Sequence, residues 1–355
     1  MEILKPTDPL SFQVAWESTL KCNMDCSYCG DGHDNSQSHP GLAASLNTVD
    51  FIFDYLELQM KTRTHRFAGL NIQGGESVNH PKIVDILKYI QVKKARVDYN
   101  LSVALITNAT AVATRWARVV ALVDYFTISF HAELDFKNKP RFLNNVLYLA
   151  EKNKNFQVNI MMHPRHWQDC LTMIKFCQTH KIQYHLRQID HHWLDRRFNY
   201  TAEQVEFLTG ARPVNLKDKA IAVIKNGFDL DSQGRSCCGG NSLCADGCNV
   251  TRVVNRFKGW HCSVDKYFLY IRQTTGEVFT NKDCQMTWDG TVGPIGNLKD
   301  TQKILDRVRQ GTPTIVCKKT KCWCGLCAPK ASTAEKFNTL NHMYANEATS
   351  QSTDQ

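Results

Sequence analysis

The sequence predicts an α/β protein built on a parallel sheet, and three observations carry that expectation. Across the first two hundred residues, short runs of alternating apolar residues trade places with stretches of three- and four-residue apolar spacing. The alternation yields six strands with helices intervening, which implies parallel pairing through crossovers, hence an open sheet or a (β/α) barrel. After about residue 200 the pattern fades, and ten of the 15 cysteines fall between residues 237 and 327. In either parallel architecture the loops at the C-terminal strand ends form the working face.

Phe12 to Glu17 is the first strand candidate, and a long polar loop follows it. Val49, Ile52, Phe53, Leu56 and Met60 recur at the spacing of an amphipathic helix. Leu70 to Gln73 is a short strand running into Gly74-Gly75. Pro81 stands where a helix can start, with Ile83, Leu87 and Ile90 as its apolar stripe. Leu101 to Thr107 reads as a strand, Val112 to Leu122 as a helix and Tyr125 to Phe130 as a strand. Phe142, Val146 and Leu149 mark the next helix, and Phe156, Val158, Ile160 and Met162 alternate as a strand. Leu171 and Ile174 belong to a further helix ahead of the strand Tyr184 to Ile189. Cys170 and Cys177 share a face with Ile174; buried cysteine behaves as a small hydrophobe, so both are expected in the core.

Residues 201 to 230 look helical, and the polar stretch Asn346 to Gln355 is expected to fray. The cysteine-rich region between them is poor in apolar periodicity, so bound metal is expected to replace part of its core. No internal repeat is visible.

The 355 residues suggest about two domains. With 43% hydrophobic and 22% charged residues, the chain can bury a large core. The most apolar stretch, Ala111 to Phe126, is broken by Arg115 and Arg118, so no membrane span is expected. Met1 to Pro6 lacks the layout of a signal peptide, so a cytoplasmic location is expected. In a reducing compartment an odd number of clustered cysteines points to metal rather than disulfides. The formal charge is +9, with basic groups at Lys93-Lys94-Ala95-Arg96 and Lys318-Lys319-Thr320-Lys321 that fit a solvated surface or a partner-facing role.

Cys22, Cys26 and Cys29 lie in the loop after the first strand, as Cys22-Asn23-Met24-Asp25-Cys26-Ser27-Tyr28-Cys29. Three thiolates so spaced can hold three corners of an iron–sulfur cubane. No fourth cysteine follows nearby, which leaves one iron open to a substrate or cofactor. A structural zinc site is the alternative, and it needs a fourth ligand such as His33 or His39.

At these residues the chain resembles the radical S-adenosylmethionine (radical SAM) enzymes, whose motif is C-x3-C-x-aromatic-C with Tyr28 in the aromatic place. Their second mark, a Gly-Gly-Glu ending the second strand, stands here as Gly74-Gly75-Glu76. The resemblance covers roughly residues 12 to 190. It implies a partial (β/α)6 TIM-type barrel with Cys22, Cys26 and Cys29 holding a [4Fe–4S] cluster. SAM would chelate the open iron, and an electron from the cluster would cleave it to a 5′-deoxyadenosyl radical that abstracts a substrate hydrogen. The cofactors break the bond while the protein orients and shields them. Gly74 and Gly75 would let the backbone approach the methionine moiety, with Glu76 adding a charge or acceptor and Tyr28 packing near the adenine. Asn108, Ser129, His131, His163 and Arg187 lie at or near the later strand ends, where relatives contact ribose, carboxylate or substrate.

Further along, Cys262, the strand-like Tyr267 to Ile271, Gly276-Glu277-Val278 and Cys284 precede Gly296-Asn297-Leu298 and the group Cys317, Cys322, Cys324 and Cys327. This resembles the auxiliary-cluster extension called SPASM, or its shortened form, twitch. Seven residues rather than four separate Gly276 from Cys284, and the last group does not keep the full SPASM spacing. The resemblance implies at least one auxiliary [4Fe–4S] cluster on Cys262, Cys284, Cys324 and Cys327, with Cys322 able to replace Cys324. A second cluster could recruit Cys237 or Cys238, Cys244, Cys248 and Cys317. A zinc ribbon, or a redox pair at Cys237-Cys238, remains open.

The expected organisation is a radical SAM core over 1–200, a helical linker with a cysteine-containing insert over 201–260, a SPASM/twitch-like auxiliary-cluster domain over 261–330, and a helical, frayed tail over 331–355. The resemblance favours an oxidoreductase or peptide-modifying enzyme acting on a peptide or protein by crosslinking or oxidation, with flavodoxin or ferredoxin as electron donor. The alternatives are oxidation of a small alcohol or sugar, nucleic-acid modification, or a non-catalytic iron–sulfur or zinc protein that binds a partner. The net charge alone motivates nucleic acid, and no aromatic-basic RNA-binding signature accompanies it.

Overall fold

The computed structural model describes residues 3–4, 11–29, 37–62, 66–189, 198–209, 257–280, 286, 290, 292–311, 314–319 and 330–340. Its strands in chain order are β1 (Ile3–Leu4), β2 (Ser11–Thr19), β3 (Phe67–Gly74), β4 (Asn100–Thr107), β5 (Tyr125–His131), β6 (Asn155–Met162) and β7 (Tyr184–Gln188). After these come β8 (His261–Cys262), β9 (Phe268–Arg272), β10 (Glu277–Phe279), β11 (Gly296–Asn297), β12 (Ile315–Val316) and β13 (Lys330–Ala331). The helices are α1 (Leu42–Thr62), α2 (Ile83–Lys94), α3 (Ala113–Val120), α4 (Asn138–Glu151), α5 (Trp167–Thr179), α6 (Ala202–Thr209) and α7 (Thr301–Gln310).

Each strand of β2 to β7 pairs in parallel with the next, and one helix stands in each interval. The order never reverses, so crossovers of one hand place every helix on one face, as in a (β/α) barrel and unlike a doubly wound sheet. Burial agrees with this. Phe12, Val14 and Trp16 of β2 are fully buried and alternate with the half-buried Gln13 and Ala15. On β5, Phe126 meets Trp116 of α3 with ring centroids 5.5 Å apart, and Phe130 meets Phe142 of α4 at 5.3 Å. Cys170 and Cys177 lie fully inside this core, where their spacing with Ile174 places them.

The opposite face is polar. Gln13, Asn71, Ser102, Thr127, Ser129, Gln157 and Asn159 all lie half-buried there. A one-sided core leaves that face as the surface a substrate can reach.

The segment after residue 257 joins the same sheet. β9 runs parallel to β2 on the edge opposite β3, and β10 and β11 extend it antiparallel, giving the order β11-β10-β9-β2-β3-β4-β5-β6-β7. Tyr270 donates from its hydroxyl to Glu17 Oε2 at 2.6 Å, and Trp16 Nε1 donates to Gln273 Oε1 at 3.0 Å. Leu269, Ile271 and Val278, with Ile304, Leu305 and Val308 of α7, belong to the main apolar cluster. For β9, β10 and α7 the core is hydrocarbon, shared with the first two hundred residues, while most of the cysteines expected to hold metal in this region lie outside the described residues. A second sheet, ordered β1-β13-β8-β12, is antiparallel.

Of the stretch expected to be helical over 201–230, Ala202–Thr209 forms α6 and residues 210–230 lie outside the described residues, as does Asn346–Gln355. Lys93 pairs with Asp50 at 2.5 Å and Lys94 with Asp124 at 2.7 Å, so the first basic group is tied into surface ion pairs. Among the described residues, no helix is long and apolar enough to cross a membrane.

Candidate functional site

A cavity of about 190 Å³ opens where β2, β3, β4 and β5 end. It is lined by Leu20, Cys22, Met24, Cys26, Tyr28, Cys29, Gly74, Gly75, Ile106, Thr107, Asn108, Ser129 and His131. The three cysteines, the glycine pair and the ends of two further strands therefore meet at one place. This is the C-terminal rim that a parallel sheet reserves for chemistry.

The cysteine loop is shaped by its own backbone and by neighbours. Met24 N–H donates to Cys22 Sγ at 3.4 Å, and Cys29 N–H donates to the Cys26 carbonyl at 3.0 Å. Asn23 accepts from Asn79 Nδ2 at 2.7 Å and Asn108 Nδ2 at 3.1 Å, and itself donates to Thr110 Oγ1 at 2.9 Å. Burial pushes the Cys22 thiol up to about 11, and burial together with the charge of Glu133 pushes Cys26 higher still. Such thiols stay protonated until a metal displaces the proton.

The glycine pair works by close approach. Gly74 has φ +143°, and a Cβ there would lie 2.1 Å from the Thr19 carbonyl oxygen. At Gly75 a Cβ would fall 2.4 Å from the Lys21 oxygen and 2.5 Å from that of Leu20. In place of side chains run two backbone bonds of 2.8 Å, from Gly75 N to Thr19 O and from Glu76 N to Lys21 O. The glycines thus let the end of β3 lie directly against the start of the cysteine loop while still lining the cavity.

Glu76, expected to offer a charge or acceptor to a ligand, is buried and stands outside the lining. Its carboxylate accepts from Thr107 Oγ1 at 2.7 Å, Asn108 N at 2.7 Å and Val78 N at 3.0 Å. Burial raises its pKa, and these three donors oppose the rise. It ties the ends of β3 and β4 together. Asn108 lines the cavity, but its amide is engaged with Asn23 and Thr110. Arg187 sits outside the lining, with Nε donating to Asn159 Oδ1 at 3.3 Å. Register places it in one row with Met161 and His131, so it faces the same side of the sheet two strands away.

Tyr28 is buried at the rim, its hydroxyl 2.7 Å from His131 Nδ1 and its ring near His131, His163 and Phe198. Burial lowers the pKa of His131 to about 4 and keeps its ring neutral. Ser129 lines the floor beside it.

The donor set suits a cubane better than a single zinc ion. Among the described residues, the one group of three candidate ligands with all atoms within 4.8 Å of each other is Glu133, His163 and His166, not the cysteines. His39, a candidate fourth zinc ligand, instead shares a 3.1 Å hydrogen bond with Thr19 Oγ1 and packs on His80. His33 lies outside the described residues. Three thiols around one cavity with no fourth thiol among its lining residues fit a cluster bearing one open iron.

Of the auxiliary ligand candidates, Cys237, Cys238, Cys244, Cys248, Cys284, Cys322, Cys324 and Cys327 lie outside the described residues. Cys262 and Cys317 are described. Cys262 in β8 stands opposite Ile315 of β12, while Cys317 exchanges 2.9 Å and 2.7 Å backbone bonds with Trp260 and Gly259. The two cysteines thus lie on neighbouring segments of the small sheet, Cys317 just beyond the end of β12.

Sequence reasoning missed Leu20, Met24, Ile106 and Thr107, which line the cavity with no motif to mark them, and Glu133, which grips the loop across a sequence gap of 106 residues.

This fold, with its cysteine loop on the working rim, is that of the radical SAM enzymes. In particular, native anSMEcpe with bound AdoMet and the Cp18Cys peptide matches with a TM-score of 0.51 at 14% identity, covering 96% of this chain and 99% of that one. Native anSMEcpe with bound AdoMet and the Kp18Cys peptide gives 0.51 at 14%, over 84% and 80%. SuiB of Streptococcus suis gives 0.50 at 13%, covering 84% of this chain and 65% of SuiB, so the chain spans about two thirds of SuiB's length. No family model and no curated protein matches the sequence.

Proposed function

We propose that this protein is a radical SAM enzyme that takes a hydrogen atom from a peptide or protein substrate, ending in a crosslink or an oxidation. The observation that carries the reading is the convergence of Cys22, Cys26 and Cys29 with Gly74 and Gly75 on one cavity at the strand ends. The three thiols would hold a [4Fe–4S] cluster, and the cavity floor of Gly75, Asn108 and Ser129 would receive SAM. When bound, the cluster would supply the electron that cleaves the SAM sulfonium, and the nucleoside radical from SAM would take the substrate hydrogen. The chain's own part is to fix the loop, to hold Tyr28 over the rim and to screen the site from water with Met24 and Ile106.

A peptide substrate is supported by two features. The open face of the sheet carries half-buried amide side chains, Gln157 and the hydrogen-bonded pair Gln13 and Asn71 among them, a chemistry suited to backbone amides. The anSMEcpe match was solved with a peptide bound. The same reading assigns at least one auxiliary [4Fe–4S] cluster to Cys262, Cys284, Cys324 and Cys327, a flavodoxin or ferredoxin as electron donor, and a reducing cytoplasm as its setting.

Anaerobic reconstitution, reduction with dithionite and addition of SAM test the reading. We expect 5′-deoxyadenosine and about four irons per cluster. A chain carrying its iron but releasing no 5′-deoxyadenosine would be a binding protein instead. Zinc in place of iron at the C-terminal cysteines would discard the auxiliary cluster.

A further inference from the structure

The turn from Cys26 to Cys29 is held from outside the loop. Ser27 donates from its backbone N to Glu133 Oε2 at 2.8 Å and from its hydroxyl to Glu133 Oε1 at 2.6 Å. Each carboxylate oxygen thus accepts from one of the two donors of a single residue. Hydrogen bonds to an ionised acceptor are the strong kind. Glu133 follows β5, and His163 at the end of β6 stands behind it, with Nε2 3.4 Å from Glu133 Oε1. His163 Nδ1 accepts the Arg165 N–H at 3.1 Å, which places the hydrogen of the neutral ring on Nε2, facing the carboxylate. Tyr28, in the same turn, packs its ring 5.8 Å from that of His163.

We propose that Glu133, oriented by His163, is a positioning residue that presets the Cys26–Cys29 turn for capture of the cluster. The proposal rests on the radical SAM reading of the cavity. Three cysteines on a loop that must be ordered at the moment of binding lose affinity to that ordering, and a fixed turn removes the loss. Outer partners of metal ligands act in this way. Glu133, His163 and His166 could themselves be read as a cation site, since their donor atoms lie within 4.8 Å of one another. The chemistry argues otherwise. The carboxylate oxygens already serve Ser27, and the His163 nitrogen that would bind a cation carries the hydrogen.

The test uses the full-length, anaerobically reconstituted protein and reads the rate of iron release to a ferrous chelator, together with the EPR spectrum of the reduced cluster. Glu133→Ala should release iron about tenfold faster or more, the range for loss of an outer partner of a metal ligand. It should also alter the spectrum. Glu133→Gln, which keeps one acceptor for the Ser27 N–H, should recover part of the retention. Ser27→Ala should have a smaller effect, and Ser27→Ala with Glu133→Ala should be no worse than Glu133→Ala alone. If Glu133→Ala does not fold, Glu133→Gln and Ser27→Ala carry the comparison. Release rates and spectra equal to the parent in these variants would overturn the clamp. A parent chain that takes up no iron would overturn the cavity reading itself, a result visible before any variant is made.

Discussion

Strands β2 to β7 are five to nine residues long and pair in chain order, whereas β8 to β13 are two to five residues long and are scattered over two sheets. The first set makes its own core from an apolar period that each strand and helix repeats. The second set borrows: β9 leans on β2, and α7 adds Ile304, Leu305 and Val308 to the apolar cluster already formed. Among the described residues, β9, β10 and α7 share the core of the first region, while Cys262 and Val264 with Phe268 and Ile315 form a small apolar cluster apart from it. A region can be poor in periodicity and still be held by hydrocarbon, provided a free sheet edge accepts it.

The comparison can be broken first at the rim. Cys26→Ala should lower 5′-deoxyadenosine formation by more than about 100-fold, beyond the range for losing a partner of a ligand, because two thiols do not retain the cluster. Retained turnover in a folded, iron-analysed variant would contradict the assignment. In the borrowed region, Ile271→Ala should cost about as much stability as Ile72→Ala, roughly 2–5 kcal/mol each, since both side chains are fully buried in one cluster. Urea unfolding measures this, and a second, separate transition for the Ile271 variant would show two cores.

Gly75→Ala sharpens the comparison at the junction of strand and loop. The added carbon would meet the Lys21 oxygen at 2.4 Å, so a loss of about 1–3 kcal/mol with weakened iron retention is expected. Gly293→Ala, with nothing within 4 Å, is the control. Cys284→Ala and Cys262→Ala should each lower product formation more than SAM cleavage. Equal loss of both activities would make those cysteines structural.

The smallest expected effect is on pH dependence. His131 is held neutral down to about pH 4, against an ordinary value near 6.5. Between those values the unfolded chain binds a proton that the folded chain refuses, so stability falls as pH drops from about 6.5 toward 4 and is level above. His39, also lowered to about 4, adds to the slope. Urea midpoints at about pH 7 and about pH 5 should differ less in His131→Asn than in the parent. An unchanged difference would exclude His131 as a source.

Much of the first region was legible. Phe12, Val14 and Trp16 alternate because one face of β2 is covered and the other is not, and that alternation can be counted in the chain. The three cysteines could be read because they stand within eight residues of each other. Glu76 shows the limit. The motif named the residue, but nothing local told that its carboxylate would turn inward to Thr107 and Asn108. Likewise Tyr270 and Glu17 meet across 253 residues, and Ser27 and Glu133 across 106.

From the amino-acid order alone came the period of each strand and helix, the parallel class, and the three thiols with their missing fourth. These are properties of neighbours along a chain, fixed by where side chains point at each step. Tertiary structure alone decided which edge took β9, why Gly74 and Gly75 must lack side chains, and which distant carboxylate holds the cysteine turn. Those outcomes depend on the meeting of segments far apart in sequence, where close packing and charge act through space.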